Sequence, residues 1–101
     1  MGKASQRKGR AAEREVRDIY LAHGFKVRLH DPWEADDLTV WVNGLPHTVE
    51  VKRRKLTHRE IDEILKTASI LWVRANYEDW KVYTKALWHC QELQVDGGGA
   101  E

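Results

Sequence analysis

Asp37 and Glu50, thirteen positions apart, and Lys52, two further on, are residue types that together can hold a divalent cation and act on a phosphate ester. Mg²⁺ prefers oxygen ligands and is commonly held by one or two carboxylates with water and a substrate phosphate. Such an ion polarises a phosphoryl oxygen and lowers the pKa of a bound water, giving a nucleophile near neutral pH. A nearby ammonium can hold that water or stabilise the charge that develops at phosphorus. This chemistry requires the three side chains to converge, so the elements that carry them decide whether it is available.

A hairpin is legible around them. Leu38, Val40 and Val42 alternate toward Asn43-Gly44, a dipeptide suited to the positive φ angles of a tight turn, and Val49 and Val51 continue on the return strand. A two-residue loop pairs Val42 with Leu45 and sets Asp37 opposite Glu50 in a non-hydrogen-bonded pair, where side chains approach most closely. Alternation puts Lys52 on the face of Glu50. A loop one residue longer would break this register. Pro46 falls close to the turn, where its missing N–H should point away from the partner strand. Carboxylates facing each other on neighbouring strands destabilise the pair, so either Lys52 or a bound cation must offset them.

The remaining elements follow from periodicity. A first helix is predicted over Gln6–His23, with Ala12, Val16, Ile19, Tyr20 and His23 on one face and Arg7, Arg10, Arg14 and Arg17 opposite. Glu13 lies at the edge of the apolar arc, beside Gly9 and Tyr20, and either leans to solvent or points into a cleft beside the sheet. Gly24 stops the helix and Phe25 can fold back on it. Phe25, Val27 and Leu29 alternate with Lys26, Arg28 and His30 as a half-buried strand. Thr57 with Glu60 forms a capping box that opens a second helix, with Ile61, Ile64, Leu65 and Ala68 as its apolar face. Two further strands, Ile70–Arg74 and Trp80–Thr84, and a short helix over Lys85–Gln91 complete the order. The expectation is an α/β fold with a mixed sheet of about five strands flanked by helices. It forms one domain over residues 1–95, with a basic arm at 1–6 and a disordered glycine-rich tail at 96–101.

Length and composition agree with a single domain: 101 residues, 42% hydrophobic and 33% charged. No apolar run approaches a membrane span, and no apolar segment follows the basic N-terminus as a secretory signal would require. The lone Cys90 fits a reducing compartment and excludes paired-thiolate zinc modules. His30, His47, His58 and His89 form no metal-ligand spacing with it. Net charge is only +1, but residues 1–17 carry +4, residues 52–59 carry +5 and the remainder carries −8. Segregated charge of this kind is either solvated surface or two basic patches, flanking the same acids, that meet a polyanion. Of five tryptophans, Trp72 reads as core, Trp80 and Trp88 as core or a dimer contact, and Trp41 as a neighbour of Asp37. Trp33, in a loop beside Pro32, either simply packs or is the tryptophan best placed to touch a polyanionic partner.

Asp37 followed at this interval by Glu50-Val51-Lys52 resembles the PD-(D/E)xK nuclease pattern, with Asp36 in the proline slot. The stretch Lys8-Gly9-Arg10-Ala11-Ala12-Glu13-Arg14-Glu15-Val16 resembles the first helix of archaeal-type Holliday junction resolvases, a family with phage-borne members. The resemblance covers roughly residues 8–84. It implies a restriction-endonuclease-like fold and a homodimer that cuts two opposed strands of a four-way DNA junction with Mg²⁺ or Mn²⁺. The catalytic set it implies is Glu13, Asp37, Glu50 and Lys52. The implied metal ligands are Asp37, Glu50, the Val51 carbonyl and Glu13. A cytoplasmic location, nucleoid-associated or in a phage's host, is implied as well. The family often carries a catalytic serine before the aspartate. Residues 28–36 contain neither serine nor threonine, so His30 or Asp31 takes that role or nothing does.

For binding, the expected phosphate contacts are Lys3 in the basic arm, Arg7, Lys8 and Arg10 on the first helix, and Arg53, Arg54 and Lys55 after the lysine. No base-reading motif is present, so recognition by shape and backbone is expected. A two-fold dimer suits a four-way junction. Two other readings remain open from sequence: another DNA nuclease of the same superfamily, of repair or restriction type, and a non-catalytic nucleic-acid-binding module.

Overall fold

The structure, a computed structural model, describes residues 3–85, with side chains from Arg10 onward. The glycine-rich tail, Trp88, His89, Cys90 and all but the first residue of the short helix expected over 85–91 lie outside the described residues.

Helix α1 spans Lys3–Ala22. It starts three residues before the predicted boundary, so residues 3–6 of the expected arm are helical. The run from Lys3 to Lys8 contains no proline or glycine, and Ala4, Gln6, Arg7 and Lys8 are good helix formers. The helix ends at Ala22, one residue before the expected His23, and closes at the predicted glycine. Gly24 adopts φ +84, Phe25 N–H donates to the Tyr20 carbonyl and Gly24 N–H to that of Leu21, both at 3.0 Å. This is a Schellman closure, and its hydrophobic contact is the Phe25 ring edge-on to Tyr20 at 5.8 Å.

Five strands follow: β1 Lys26–Leu29, β2 Leu38–Val42, β3 Leu45–Lys52, β4 Ile70–Val73 and β5 Lys81–Thr84, with α2 over His58–Ile64 between β3 and β4. They form one sheet in the order β1-β2-β3-β4-β5. Neighbours are antiparallel except β3 and β4, which run parallel because α2 crosses over between them. The chain is thus α/β, with a mixed five-stranded sheet and two helices. The hairpin register matches the predicted loop: Val42 pairs with Leu45 and Leu38 with Val49, around Asn43 at φ 53 and Gly44 at φ 81.

The two helices cover opposite faces of the sheet. Ala12 and Val16 of α1 pack on Leu38, Val40, Val49, Val51, Ile70 and Trp72. Ile61 of α2 packs on Leu71 and Val73, with Leu56, Ile64, Leu65 and Tyr83 around them. Trp72 is core, as predicted; its Nε1 donates to the Tyr20 hydroxyl at 2.8 Å and its ring meets those of Tyr20 and Trp80 edge-on. The Thr57–Glu60 capping box forms in full. Replacing Thr57 with Ala should therefore lower unfolding stability by about 1 kcal/mol, read from the urea midpoint at unchanged slope. No helix among the described residues is long and apolar enough to cross a membrane.

Val49 and Val51 face α1, so strand alternation turns Glu50 and Lys52 to the other face. Glu13, on α1, approaches from the side of Val49 and Val51. Only a residue at the end of the sheet can reach both.

Candidate functional site

Asp37 is that residue. Its expected place, as a regular non-hydrogen-bonded partner of Glu50, is corrected by the backbone just before it. In such a pair the Asp37 N–H would point away from β3. Instead it donates to the Val49 carbonyl at 3.0 Å, and the Asp37 Oδ2 accepts the Val51 N–H at 2.8 Å. The cause is Asp36, which adopts φ +61. Proline, the residue the motif places there, has φ fixed near −65° and cannot make this turn. Asp is among the few non-glycine residues that tolerate it. The turn leaves the Asp37 carboxylate beyond the end of β2, against the edge of β3.

Four carboxyl groups lie around this point, Glu13 interacting with Asp37 from one side and Asp36 and Glu50 interacting with it from the other. Glu13, its side chain only 13% exposed, is pushed up to about 7 from an ordinary 4.5, first by burial, then by the Asp37 charge and a hydrogen bond with Asp37. Arg10 opposes this rise but does not cancel it. Glu50 is raised first by burial and then by Asp37, against the pull of Lys52, whose Nζ lies 3.4 Å from its Oε2. Asp36 is raised chiefly by burial and is hydrogen-bonded to Glu50. Burial and neighbouring carboxylate charge thus raise Glu13, Asp36 and Glu50 together, which makes each costlier to ionise than in water.

Asp36 is a member of this cluster that sequence reasoning missed, because the motif assigns its position to proline. Its one sequence signal is adjacency to Asp37. A cavity of about 420 Å³ opens beside the cluster, lined among others by Arg10, Glu13, His30, Asp36 and Asp37. A second, of about 360 Å³, lies against α2 and is lined by Lys52, Arg54, Arg59 and Glu60 among others.

The other predicted residues divide. Val51 faces β2 through its N–H, while Lys52 gives its carbonyl to Arg74 on the β4 side. Alternation of the backbone therefore sets the Val51 carbonyl on the same edge as Asp37. Arg10, expected on the solvent side, turns inward and donates to Glu13 at 2.7 Å and to the His30 carbonyl at 3.1 Å. Arg53 is half-buried, with its Nε enclosed and without a hydrogen-bond partner among the described residues. Arg54 is exposed and pairs with Glu60 at 2.9 Å, and Lys55 is exposed. The side chains of Lys3, Arg7 and Lys8 lie outside the described residues.

His30 does not offer a free ring nitrogen. It is 6% exposed, and its Nδ1 lies 2.9 Å from the Ala35 carbonyl, which can only accept. Its Nε2 lies 2.6 Å from the Thr39 hydroxyl and, in the neutral ring, accepts that proton. Its own N–H donates to the Asp37 carbonyl at 2.9 Å. The histidine thus fastens the loop that carries Asp36 and Asp37. Trp41 is half-buried beneath the Lys26 ammonium, 4.6 Å from its ring centre.

Among the described residues, no three His, Cys, Asp or Glu side chains stand close enough to form a ready-made metal cage. Mg²⁺ needs no such cage, since one or two carboxylates with water and substrate phosphate hold it. Asp37 and Glu50, hard oxygen donors coupled in charge at one strand end, fit that requirement. Comparison with known proteins finds no matching family model, no matching curated protein and no matching solved structure.

Proposed function

We propose that this chain is a metal-dependent, structure-selective DNA endonuclease of restriction-endonuclease-like fold, resolving four-way junctions as a homodimer by paired phosphodiester hydrolysis. The observation that carries this reading is the position of Asp37, coupled to Glu13 on one side and to Glu50 on the other, with Lys52 beside Glu50. The resemblance of these same residues to the resolvase pattern supplies the substrate.

Asp37, Glu50 and the Val51 carbonyl would hold Mg²⁺, with Mn²⁺ as a substitute and Glu13 joining the set. When bound, the ion supplies Lewis-acid polarisation of the phosphoryl group and a more acidic water. Lys52 extends its ammonium beside Glu50, placed to orient a water and to stabilise negative charge on the phosphoryl oxygens. Arg10 holds Glu13 toward the cluster. Arg53, Arg54 and Lys55 follow β3 directly and neutralise phosphates flanking the cut. Backbone and shape recognition, without base readout, suits a branched substrate.

The test is a labelled four-way junction incubated with the protein and Mg²⁺, with and without chelator. Symmetric, metal-dependent nicks near the crossover are expected. Equal cutting of plain duplex would instead make the chain a nuclease of the repair or restriction type. Tight binding with no cutting under any divalent metal would make it a binding module. The combined change Arg53→Ala and Arg54→Ala is expected to weaken junction binding and reduce its salt slope by up to about two, roughly one per lost phosphate contact. An unchanged slope removes both residues from the interface.

A further inference from the structure

Trp33 is 81% exposed and belongs to neither core cluster among the described residues. An exposed aromatic alone carries little meaning. Its setting carries more, because the loop that displays it is fastened on several sides. Asp31 N–H donates to Glu34 Oε2 at 2.8 Å, and Glu34 N–H returns to the Asp31 carbonyl at 3.0 Å. The Arg28 guanidinium grips both Glu34 oxygens, at 2.9 and 3.1 Å. His30 ties the far side of the loop through Ala35. Pro32, immediately before the tryptophan, narrows the backbone further. The residues on either side of Trp33, Pro32 and Glu34, line the same cavity as Glu13 and Asp37. An indole is thus displayed to solvent from a hydrogen-bonded loop whose flanking residues line the carboxylate cavity.

We propose that Trp33 is a stacking platform for a nucleobase unstacked at a branch point or strand end beside the scissile phosphate. The inference rests on the nuclease reading and narrows its substrate to DNA with splayed or unpaired bases. Every base has a π-face, so stacking on an aromatic side chain is tolerant of sequence. In uninterrupted duplex those faces are already occupied by neighbouring bases. A pre-ordered loop loses little conformational freedom when the base arrives. Residues 1–17 and 52–59 carry net charges of +4 and +5, which suits an anionic partner.

The experiment measures equilibrium binding in chelator, so that no substrate is cut. It uses a four-way junction and a forked duplex carrying 2-aminopurine at the branch, with an uninterrupted duplex of equal length as control. Trp33→Ala is expected to weaken binding to both branched substrates by roughly 10-fold or more and to restore the 2-aminopurine fluorescence quenched by the wild type. Trp33→Phe should retain most of both signals, and duplex binding should change little in either variant. Equal loss on duplex, or no loss at all, overturns the platform. If wild-type protein still cuts junctions in that case, the nuclease reading survives it. A wild type that neither binds nor cuts branched DNA overturns both. A shift from dimer to monomer in Trp33→Ala by sedimentation would assign the indole to a contact between copies and likewise overturn the proposal. Circular dichroism should be unchanged, since the side chain packs in neither core.

Discussion

Asp37→Asn is expected to reduce junction cleavage by roughly 10³-fold or more, because several kcal/mol of metal-derived charge stabilisation depends on that carboxylate. The substitution is close to a pure charge test. An asparagine carbonyl oxygen can still accept the Val51 N–H that Asp37 Oδ2 accepts at 2.8 Å, so the end of the hairpin should keep its shape. Junction binding, measured in chelator, should survive or tighten, since a negative charge facing the phosphates has been removed. Glu50→Gln should behave alike in cleavage, with the added effect that Lys52 loses the ionised partner at 3.4 Å. Cleavage by Asp37→Asn at the wild-type rate would place the chemistry elsewhere in the molecule.

Glu13 titrates at about 7 in the fold against an ordinary 4.5, chiefly through burial and the neighbouring Asp37. An acid with a raised folded pKa binds more protons in the native than in the unfolded state across that interval. Stability is therefore lost as pH rises from about 4.5 to about 7, and the loss is complete above that. Metal-free protein should show a falling Tm across this window. Glu13→Gln, which mimics the protonated side chain and cannot ionise, should flatten the fall and melt higher than wild type at pH 8. Saturating Mg²⁺ should raise the wild-type Tm at pH 8 more than at pH 5, because protons and cation compete for the same oxygens. A flat Tm profile for wild type would show that Glu13 ionises without cost, contrary to the enclosed geometry beside Asp37. An equal Mg²⁺ effect at both pH values would remove this cluster as the metal's seat.

Much of the fold is legible in local pattern. The Asn43-Gly44 turn, the Schellman closure at Gly24 with its Tyr20–Phe25 contact, and the Thr57–Glu60 capping box each depend on a few consecutive residues, and each stands where the spacing predicts. Period-2 alternation suffices to assign Val49 and Val51 to the core and Glu50 with Lys52 to the opposite face. The start of α1 was less legible, because helix propensity over residues 3–8 carries no stop signal and the basic charge suggested an arm.

Neighbouring residues along the chain therefore determined the elements, the hairpin register and the residue types at the site, since turn chemistry and alternation act over a few positions. Tertiary structure alone decided how the acids meet. Glu13 and Glu50 sit on opposite faces of one sheet, a relation that no spacing between positions 13 and 50 encodes. Their junction is Asp37, turned by a left-handed Asp36 and locked by a histidine whose partners, Ala35 and Thr39, come from loop and strand. The same packing drew Arg10 inward to Glu13 and His30. Burial is the reason these groups interact strongly: it removes the water that would screen them, and only the packed chain determines where water is excluded.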